Sequence, residues 1–418
     1  MAGVTAALPG AGTRRALAGA PAPRSPVHIL ALGKAGTAMA AAAIERLAAC
    51  GAEPAGGVVI GTTVLAAPHP SLRGLAGNHP VPGPASLAAA AALGAAVRSV
   101  AADDECWVLL SGGTSSLIAA PVGGVREDDL VALFDALQRS GLDIVDANRI
   151  RKQFLRWGAG RLAADLAPAC VRVLIASDVL GDDPGTIGSG PCTADDTPRA
   201  DVAEQLRMLA GQRLLTAAVA GRLAAALAAA DLPLARRDPT FDRVHTTIVA
   251  GIGDAVAGAA NAARRAGWDA RAAAAPLVGE AQSVAESITR EAAARGAGDT
   301  RPRRCTVHGG ETTVSLGNTA VPAGGRSQEL ALAAARALAG IDGIVLLAAG
   351  TDGRDGPTDA AGAIVDGTTW AAIRASGRDP DADLAAHRSH AALDAAGALI
   401  RTGPTGTNVG DLVILLEG

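Results

Sequence analysis

Apolar positions along the chain fall into two spacings. Short unbroken runs bounded by glycine or polar turns read as buried strands: "VHILALG" (27–33), "GVVIGTTV" (57–64), "CWVLLSGG" (106–113), "VRVLIASDVLGDDPG" (171–185), "TTIVAGIGDA" (246–255), "GIVLLAAG" (343–350) and "DLVILLEG" (411–418). Between them lie longer stretches with helical periodicity, at 34–49, 86–101, 126–139, 146–167 and 326–340. "CTVHGGETTVSL" (305–316) reads as a hairpin built around "GGE". Alternating strands and amphipathic helices predict parallel sheets covered on both faces, with ligands outside the carboxyl ends of the strands.

The periodicity lapses at "DLPLARRDPTFDR" (231–243), which reads as a linker. The expected organisation is an N-terminal α/β domain over 27–235 and a C-terminal one over 236–418, each with a largely parallel, Rossmann-like sheet. Residues 1–26, rich in Ala, Gly and Pro, are expected as a flexible arm, disordered or weakly helical. Composition narrows the field. Net charge is −4 with pI near 6.0, which excludes the basic stripe of a nucleic-acid binder. No apolar run approaches the roughly 20 residues of a membrane span. The five cysteines are scattered without CxxC, and the seven histidines form no HxxxH or HExxH. A disulfide framework or zinc site is therefore not expected, and a reducing cytoplasm fits.

Candidate chemistry gathers where strands end. "GKAG" (33–36), "SGGTSS" (111–116), "SDVLGDD" (177–183), "HGGETT" (308–313), "GGRSQE" (324–329), "GTDGRDGPTD" (350–359) and "TGPTGTN" (402–408) combine glycine with hydroxyl, amide or carboxylate groups. Glycine lets backbone N–H groups approach an anion, so many such turns in one chain point to phosphate. No GxGxxG follows the first strand, no acidic residue ends the second, and "SGGTSS" lacks the GK[ST] of a Walker A loop. The loop Ser111, Gly112, Gly113 and Ser115 is instead a serine–glycine nest. Asp352, Asp355 and Asp359 stand three and four apart, which is not the EF-hand spacing, and one or two carboxylates suit Mg²⁺ shared with a phosphate. Only two lysines, Lys34 and Lys152, occur in a chain that otherwise uses arginine, which marks Lys34 as a candidate for a task needing a compact ammonium. Arg326 opens a helix, where a cation is unfavourable unless an anion is near.

Taken together and in order, "GKA", "NHPVP", "LLSGGTSSL", "SDVLGDDPGTIGSGP", "GGETTV", "GGRSQELAL", "GTDGRDGPTDAAGA" and "TGPTGTNVGDL" resemble the class II glycerate kinases, the glycerate 2-kinase family with its MOFRL region, over about 27–418. The resemblance implies two α/β domains with a cleft between them, and ATP- and Mg²⁺-dependent phosphorylation of D-glycerate at the 2-hydroxyl. It implies site positions at Lys34, Asp178, Glu311, Arg326, Asp352 and Asn408. On this reading Lys34 and Arg326 neutralise carboxylate or phosphoryl charge, Asp178 and Asp352 hold the metal or take the hydroxyl proton, and the nest cradles phosphate. The partners are glycerate and ATP, with monomer and homodimer both open. The alternatives are an NAD(P)-dependent hydroxypyruvate reductase, which the absent fingerprint disfavours, and a kinase of a related sugar acid. The family pattern resembling "RKHLSxxKGGRLA" stands here as "RKQFLRWGAGRLA" (151–163), with Gln153, Leu155 and Gly158 as departures; Ser327 and Gly410 are two more.

Overall fold

Six consecutive apolar residues, Val27–Leu32, form β1 and are all buried. A strand buried on every side chain belongs at the centre of a sheet covered on both faces. Its neighbours are β2 (Pro54–Gly61), β3 (Leu72–Ala76), β4 (Glu105–Leu110), β5 (Cys170–Ala176) and β6 (Val244–Ala250). The order is β3-β2-β1-β4-β5-β6, the doubly wound order, and the first five strands pair in parallel. Leu30, Leu32, Val58, Ile60, Val108 and Ile175 from this sheet pack with Leu93 of the helix Pro84–Arg98. The strand order reverses between β1 and β4, which opens a crevice at their carboxyl ends.

The computed structural model describes residues 1–64, 66–142, 144–229, 235–295, 303–316 and 323–418. The chain divides into two compact units, Pro9–Val249 and the combination of Met1–Leu8 with Ala250–Gly418. The boundary therefore falls at 249/250 rather than 235, because β6 completes the first sheet. Residues 231–234 of the expected linker lie outside the described residues.

The expected flexible arm is helical. Ala2–Ala6 packs on the helix Ile252–Arg265 of the second unit, where Ala7 is fully buried and its carbonyl accepts the Thr407 hydroxyl at 2.7 Å. Pro9–Ala18 packs on Gly36–Ala49 in the first unit. Glycines permit this. A Cβ at Gly12 would lie 1.9 Å from the Val249 carbonyl oxygen, and one at Gly3 2.7 Å from that of Ala255. The helix expected over 146–167 is broken into Ile144–Arg151, a 3₁₀ turn at Lys152–Phe154 and Arg161–Leu166, with Ala159 (φ +52°) and Gly160 (φ +79°) in the left-handed region between them.

The second unit holds β7 (Asp269–Ala272), β8 (Leu277–Glu280), β9 (Arg304–Thr313), β10 (Ile344–Gly350), β11 (Gly362–Asp366), β12 (Leu399–Ile400) and β13 (Asp411–Glu417). Its order is β12-β11-β10-β13-β9-β7, with β8 also on β9. This sheet is mixed, not largely parallel: β10 pairs antiparallel with β11 and β13, and β13 with β9, while β7 and β8 run parallel to β9. The helix Arg326–Leu338 lies on it, burying Leu330 through Ala335 and Leu338. The hairpin expected at "GGE" is instead the middle of β9. A Cβ at Gly310 would lie 2.3 Å from the Leu277 carbonyl oxygen and one at Gly309 2.5 Å from the Ile252 side chain, so these glycines mark close packing and not a turn.

Candidate active site

In the first unit, the turn after β1 and the loop after β4 are laced together at the sheet's reversal. Gly33 has φ +114°, and a Cβ there would lie 2.4 Å from the Ser111 carbonyl oxygen, so only glycine fits. Lys34 N–H donates to the Gly112 carbonyl at 2.9 Å, and Ala35 N–H to Ser111 Oγ at 3.0 Å. Thr114 Oγ1 bonds the carbonyls of Leu32 and Ser111 at 2.9 and 2.8 Å, and Ser115 Oγ meets Ser189 Oγ at 2.7 Å. The loop is thus fixed by its own hydroxyls.

Three polar side chains converge on its glycines. The point where a Gly112 Cβ would sit is 2.0 Å from Asp178 Oδ2. The corresponding point at Gly113 is 3.0 Å from the His79 ring and 3.4 Å from Lys34 Cε. Lys34 is exposed and makes no ion pair among the described residues. Burial, then the charges of Lys34 and Arg151, hold His79 below its ordinary pKa. Lys152 has a different task. Its ammonium meets buried Asp195 at 2.5 Å, and Gln153 donates to the other oxygen of that carboxylate. Burial alone would raise Asp195, but the bonds from Lys152, Thr197 and Gln153 outweigh it and lower the pKa. The Gln153 departure therefore completes a structural pair.

In the second unit, β-register builds the site. Asp411 begins β13 directly across from Gly310 on one side and Gly350 on the other, and the absent side chains leave room for its carboxylate. Arg326 opens the helix beside it. Its Nε and Nη2 donate to the two Asp411 oxygens at 2.5 and 3.2 Å, and its Nη1 donates to Glu311. The anion expected near this helix-start cation is thus protein carboxylate. Burial lowers the Arg326 pKa, but the Asp411 hydrogen bond and charge, with Glu311, outweigh it and raise it. Burial pushes Asp411 up to about 6; Asp355 and Glu311 add to the rise while Arg326 opposes it. Asp352 Oδ1 accepts the Arg354 N–H at 2.9 Å and lies 3.2 Å from where a Gly350 Cβ would be, with Asp411 Oδ1 at 3.6 Å from the same point.

The other two aspartates of the 350–359 stretch do not join this group. Asp355 is buried and caps the helix Arg326–Leu338, accepting from Ser327 N–H at 3.2 Å and Gln328 N–H at 2.7 Å. Asp359 pairs with Arg401 at the surface. Asn408 is exposed in a loop that Thr351 holds through the Val409 N–H and the Thr405 hydroxyl. At Gly410 φ is +99°, a conformation that asparagine tolerates better than other side chains, so the departure preserves the backbone. A side chain at Gly158 would begin 2.9 Å from the Lys152 carbonyl oxygen.

The structure thus brings Lys34, Ser111, Gly112, Gly113, Ser115 and Asp178 together in one unit, and Glu311, Arg326 and Asp352 in the other. Sequence reasoning missed His79 and Asp411. The cis bond between His79 and Pro80 lies in the "NHPVP" segment, and Asp411 ends "TGPTGTNVGD", so both lay inside stretches already singled out. Among the described residues no group of three or more His, Cys, Asp or Glu side chains is arranged to hold a metal ion by itself. A magnesium ion bound chiefly by phosphates and water needs fewer, and Asp178, pressed on the glycine nest where a Cβ would intrude, fits that donor set. Among the described residues no helix is long and apolar enough to cross a membrane.

Residues 1–224 match a domain of unknown function, DUF4147, and residues 304–411 match the MOFRL family. The chain is 36% identical over 392 residues to the D-glycerate 2-kinase of Thermotoga maritima, covering 93% of this chain and 90% of that protein. It is 33% identical to the glycerate 2-kinase of Pyrococcus horikoshii, with 93% and 87% covered. It is 38% identical to a putative hydroxypyruvate reductase of Agrobacterium vitis, with 95% and 88% covered. The crystal structure of the T. maritima glycerate kinase superposes with a TM-score of 0.85 at 32% identity, over 100% of this chain and 97% of that one.

Proposed function

Because the chain belongs to the glycerate 2-kinase family, we propose that it transfers the γ-phosphoryl group of ATP to the 2-hydroxyl of D-glycerate, with Mg²⁺ as cofactor. The observation that carries this reading is the constellation at the reversal of the first sheet: a hydroxyl-braced glycine nest with a carboxylate and an ammonium on its two glycines, the ammonium having no ion pair among the described residues. Ligands of doubly wound sheets sit at that point, and backbone N–H groups with a lysine suit phosphate.

In such a reaction the hydroxyl oxygen bonds to the γ-phosphorus, the bond to the ADP oxygen breaks in line, and the hydroxyl proton departs. Positioning and charge stabilisation dominate. The 111–116 nest would hold a phosphate through backbone N–H groups. Lys34 would meet the negative charge of the transferring phosphoryl. Asp178 would be the protein ligand of magnesium, which when bound withdraws charge from the β- and γ-phosphates. Asp352, with Oδ1 already engaged by Arg354, offers Oδ2 to the hydroxyl proton. Arg326 would lend its charge by exchanging Glu311 for substrate oxygen while Asp411 keeps its hold. Localisation in the cytoplasm fits five cysteines that are all free thiols.

The test is a coupled assay with ATP, Mg²⁺, D-glycerate, enolase and pyruvate kinase. 2-Phosphoglycerate feeds that couple directly. A signal that appears only when phosphoglycerate mutase is added places the phosphate on the 3-hydroxyl and overturns the assignment. Two relatives named as putative hydroxypyruvate reductases, 38% and 36% identical, give the second reading its support. NADH oxidation by hydroxypyruvate without ATP turnover would replace the kinase reading with that one.

A further inference from the structure

The segment 77–83 brings to the nest a side chain with no partner of its own, the imidazole of His79. Both ends of the segment are fixed. Gly77 N–H donates to the Gly61 carbonyl at the end of β2 at 3.0 Å. Ser86, buried at the start of the helix Pro84–Arg98, accepts the Asn78 N–H at 3.0 Å and the Gly83 N–H at 3.4 Å. Asn78 Oδ1 in turn accepts the Ala85 N–H at 3.0 Å. Held this way, the ring faces Gly113. Its Cδ2 lies 3.0 Å and its Nε2 3.3 Å from the point where a Gly113 Cβ would sit, and Lys34 Cε lies 3.4 Å from the same point. His79 is exposed, and neither ring nitrogen has a hydrogen-bond partner among the described residues.

The hydroxyls of the nest are already engaged. Ser111 Oγ donates to the Leu32 carbonyl at 3.3 Å, Thr114 Oγ1 to the Leu32 and Ser111 carbonyls, and Ser116 Oγ to the Gly113 carbonyl at 3.2 Å. Ser115 Oγ is taken by Ser189. Side-chain donation to a phosphate resting on Gly113 therefore falls to Lys34 and His79. The lowered pKa of His79 favours the uncharged ring, which carries a single N–H. An anion draws that proton to the nitrogen facing it. Beside Lys34, an uncharged donor adds a hydrogen bond without the repulsion that a second cation would bring. Resting on the kinase reading above, we propose that His79 is a catalytic residue whose Nε2–H donates to an oxygen of the phosphoryl group that Lys34 meets. The ring keeps its proton throughout. The bonds that form and break at phosphorus are those already given, and the hydroxyl proton does not pass to His79.

The experiment compares the full chain with His79→Ala and His79→Gln, using ATP, Mg²⁺ and D-glycerate from pH 6 to pH 9. Glutamine keeps an N–H donor but cannot take up a proton. The kcat/KM for ATP should fall at least tenfold in His79→Ala, with the KM for D-glycerate within twofold. His79→Gln should recover most of the loss and follow the wild-type pH profile. Wild-type values in His79→Ala, or His79→Gln as slow as His79→Ala, overturn the proposal. An acid limb in wild-type kcat that both variants lose would then assign the ring to proton transfer. A change confined to the KM for D-glycerate places the ring on the acceptor and overturns the proposal as well. Gly77, Asn78 and Ser86 hold the loop without the ring, so both variants should keep the wild-type urea midpoint. A fallen midpoint makes the loss structural and sinks the idea. If wild type shows no turnover with D-glycerate, the kinase reading fails first. Calorimetry with ATP and Mg²⁺ then judges His79 alone. Binding at least fivefold weaker in His79→Ala and restored in His79→Gln supports it, and any other pattern sinks it.

Discussion

The two units handle positive charge in opposite ways. In the first, Lys34 stands on a glycine nest without an ion pair among the described residues. In the second, Arg326 is enclosed by Asp411 on two nitrogens and Glu311 on the third. An open cation adds nothing to folding and is ready for an incoming anion. An enclosed one is part of the fold, and a ligand must compete with carboxylates already in place. The same residue class at a strand end or helix start can therefore serve either purpose, and only the tertiary partners tell which.

The sharpest way to break this contrast is truncation. Arg326→Ala leaves the Asp411 carboxylate buried without its partner, and losing one half of a buried pair costs about 3–5 kcal/mol. Urea unfolding should show that loss; a change below about 1 kcal/mol would mean that Arg326 is as open as Lys34. The substitution that tests its proposed part in turnover is Glu311→Ala. It frees Nη1, keeps Asp411, and should leave the urea midpoint nearly unchanged while altering kcat.

Lys34→Ala should do the reverse. Turnover should fall roughly 10²-fold or more, about 3 kcal/mol, as for other preorganised contacts to developing charge, with folding stability within about 0.5 kcal/mol of wild type. Lys152→Ala supplies the control. It strips Asp195 of its ion pair, so its principal effect should be on stability. Wild-type kcat and KM values in Lys34→Ala would end the case for its role.

Acidity sets Asp411 apart from carboxylates in both units. Asp411 titrates near 6 in the folded chain, against 3.8 for an ordinary aspartate, so the folded state binds its proton more readily. Its contribution to stability is greatest below the unfolded pKa and is lost as pH rises through about 6. Carboxylates such as Asp129 and Asp195 have lowered pKa values and behave oppositely, losing their contribution as pH falls. The difference between wild type and Asp411→Asn isolates the one group. Wild type should gain on Asp411→Asn in urea stability on going from pH 7.5 to pH 5. A difference independent of pH would show that Arg326 holds Asp411 fully ionised throughout.

Most of the first unit was legible because a parallel sheet buries both faces of its strands, and unbroken apolar runs announce that directly. The nest and Lys34 were legible for a related reason: glycine and hydroxyl residues after such runs have few other uses. Context hid the rest. Gly3 and Gly12 permit close helix contact, yet in the sequence they look like the glycines of a disordered arm. Gly309 and Gly310 look like a turn and are strand positions against which β8 and a helix close. Asp411 gains its role from register, since only its placement across from two glycines brings it to Arg326. His79 gains its place from tertiary contact, since only the fold sets its ring on Gly113 beside Lys34.

The finest contrast lies within one motif of the second unit. Asp355 and Asp359 are four residues apart in "GTDGRDGPTDAAGA" and read alike in sequence. Asp355 is buried, with Ser327 N–H, Gln328 N–H and Gln328 Nε2 all donating to it. Burial raises its pKa despite those bonds. Asp355→Ala would leave buried donors at the start of the helix Arg326–Leu338 without an acceptor, a loss of about 2 kcal/mol. That helix carries Arg326 on its first residue, so kcat should fall alongside stability. Asp359 lies at the surface, shared between Arg401 at 2.8 Å and His390 at 3.6 Å, and water replaces either contact. Asp359→Ala should leave both the urea midpoint and kcat where they are in wild type. Equal losses in the two variants would show that the whole 350–359 turn acts as one rigid body and that burial does not rank its carboxylates.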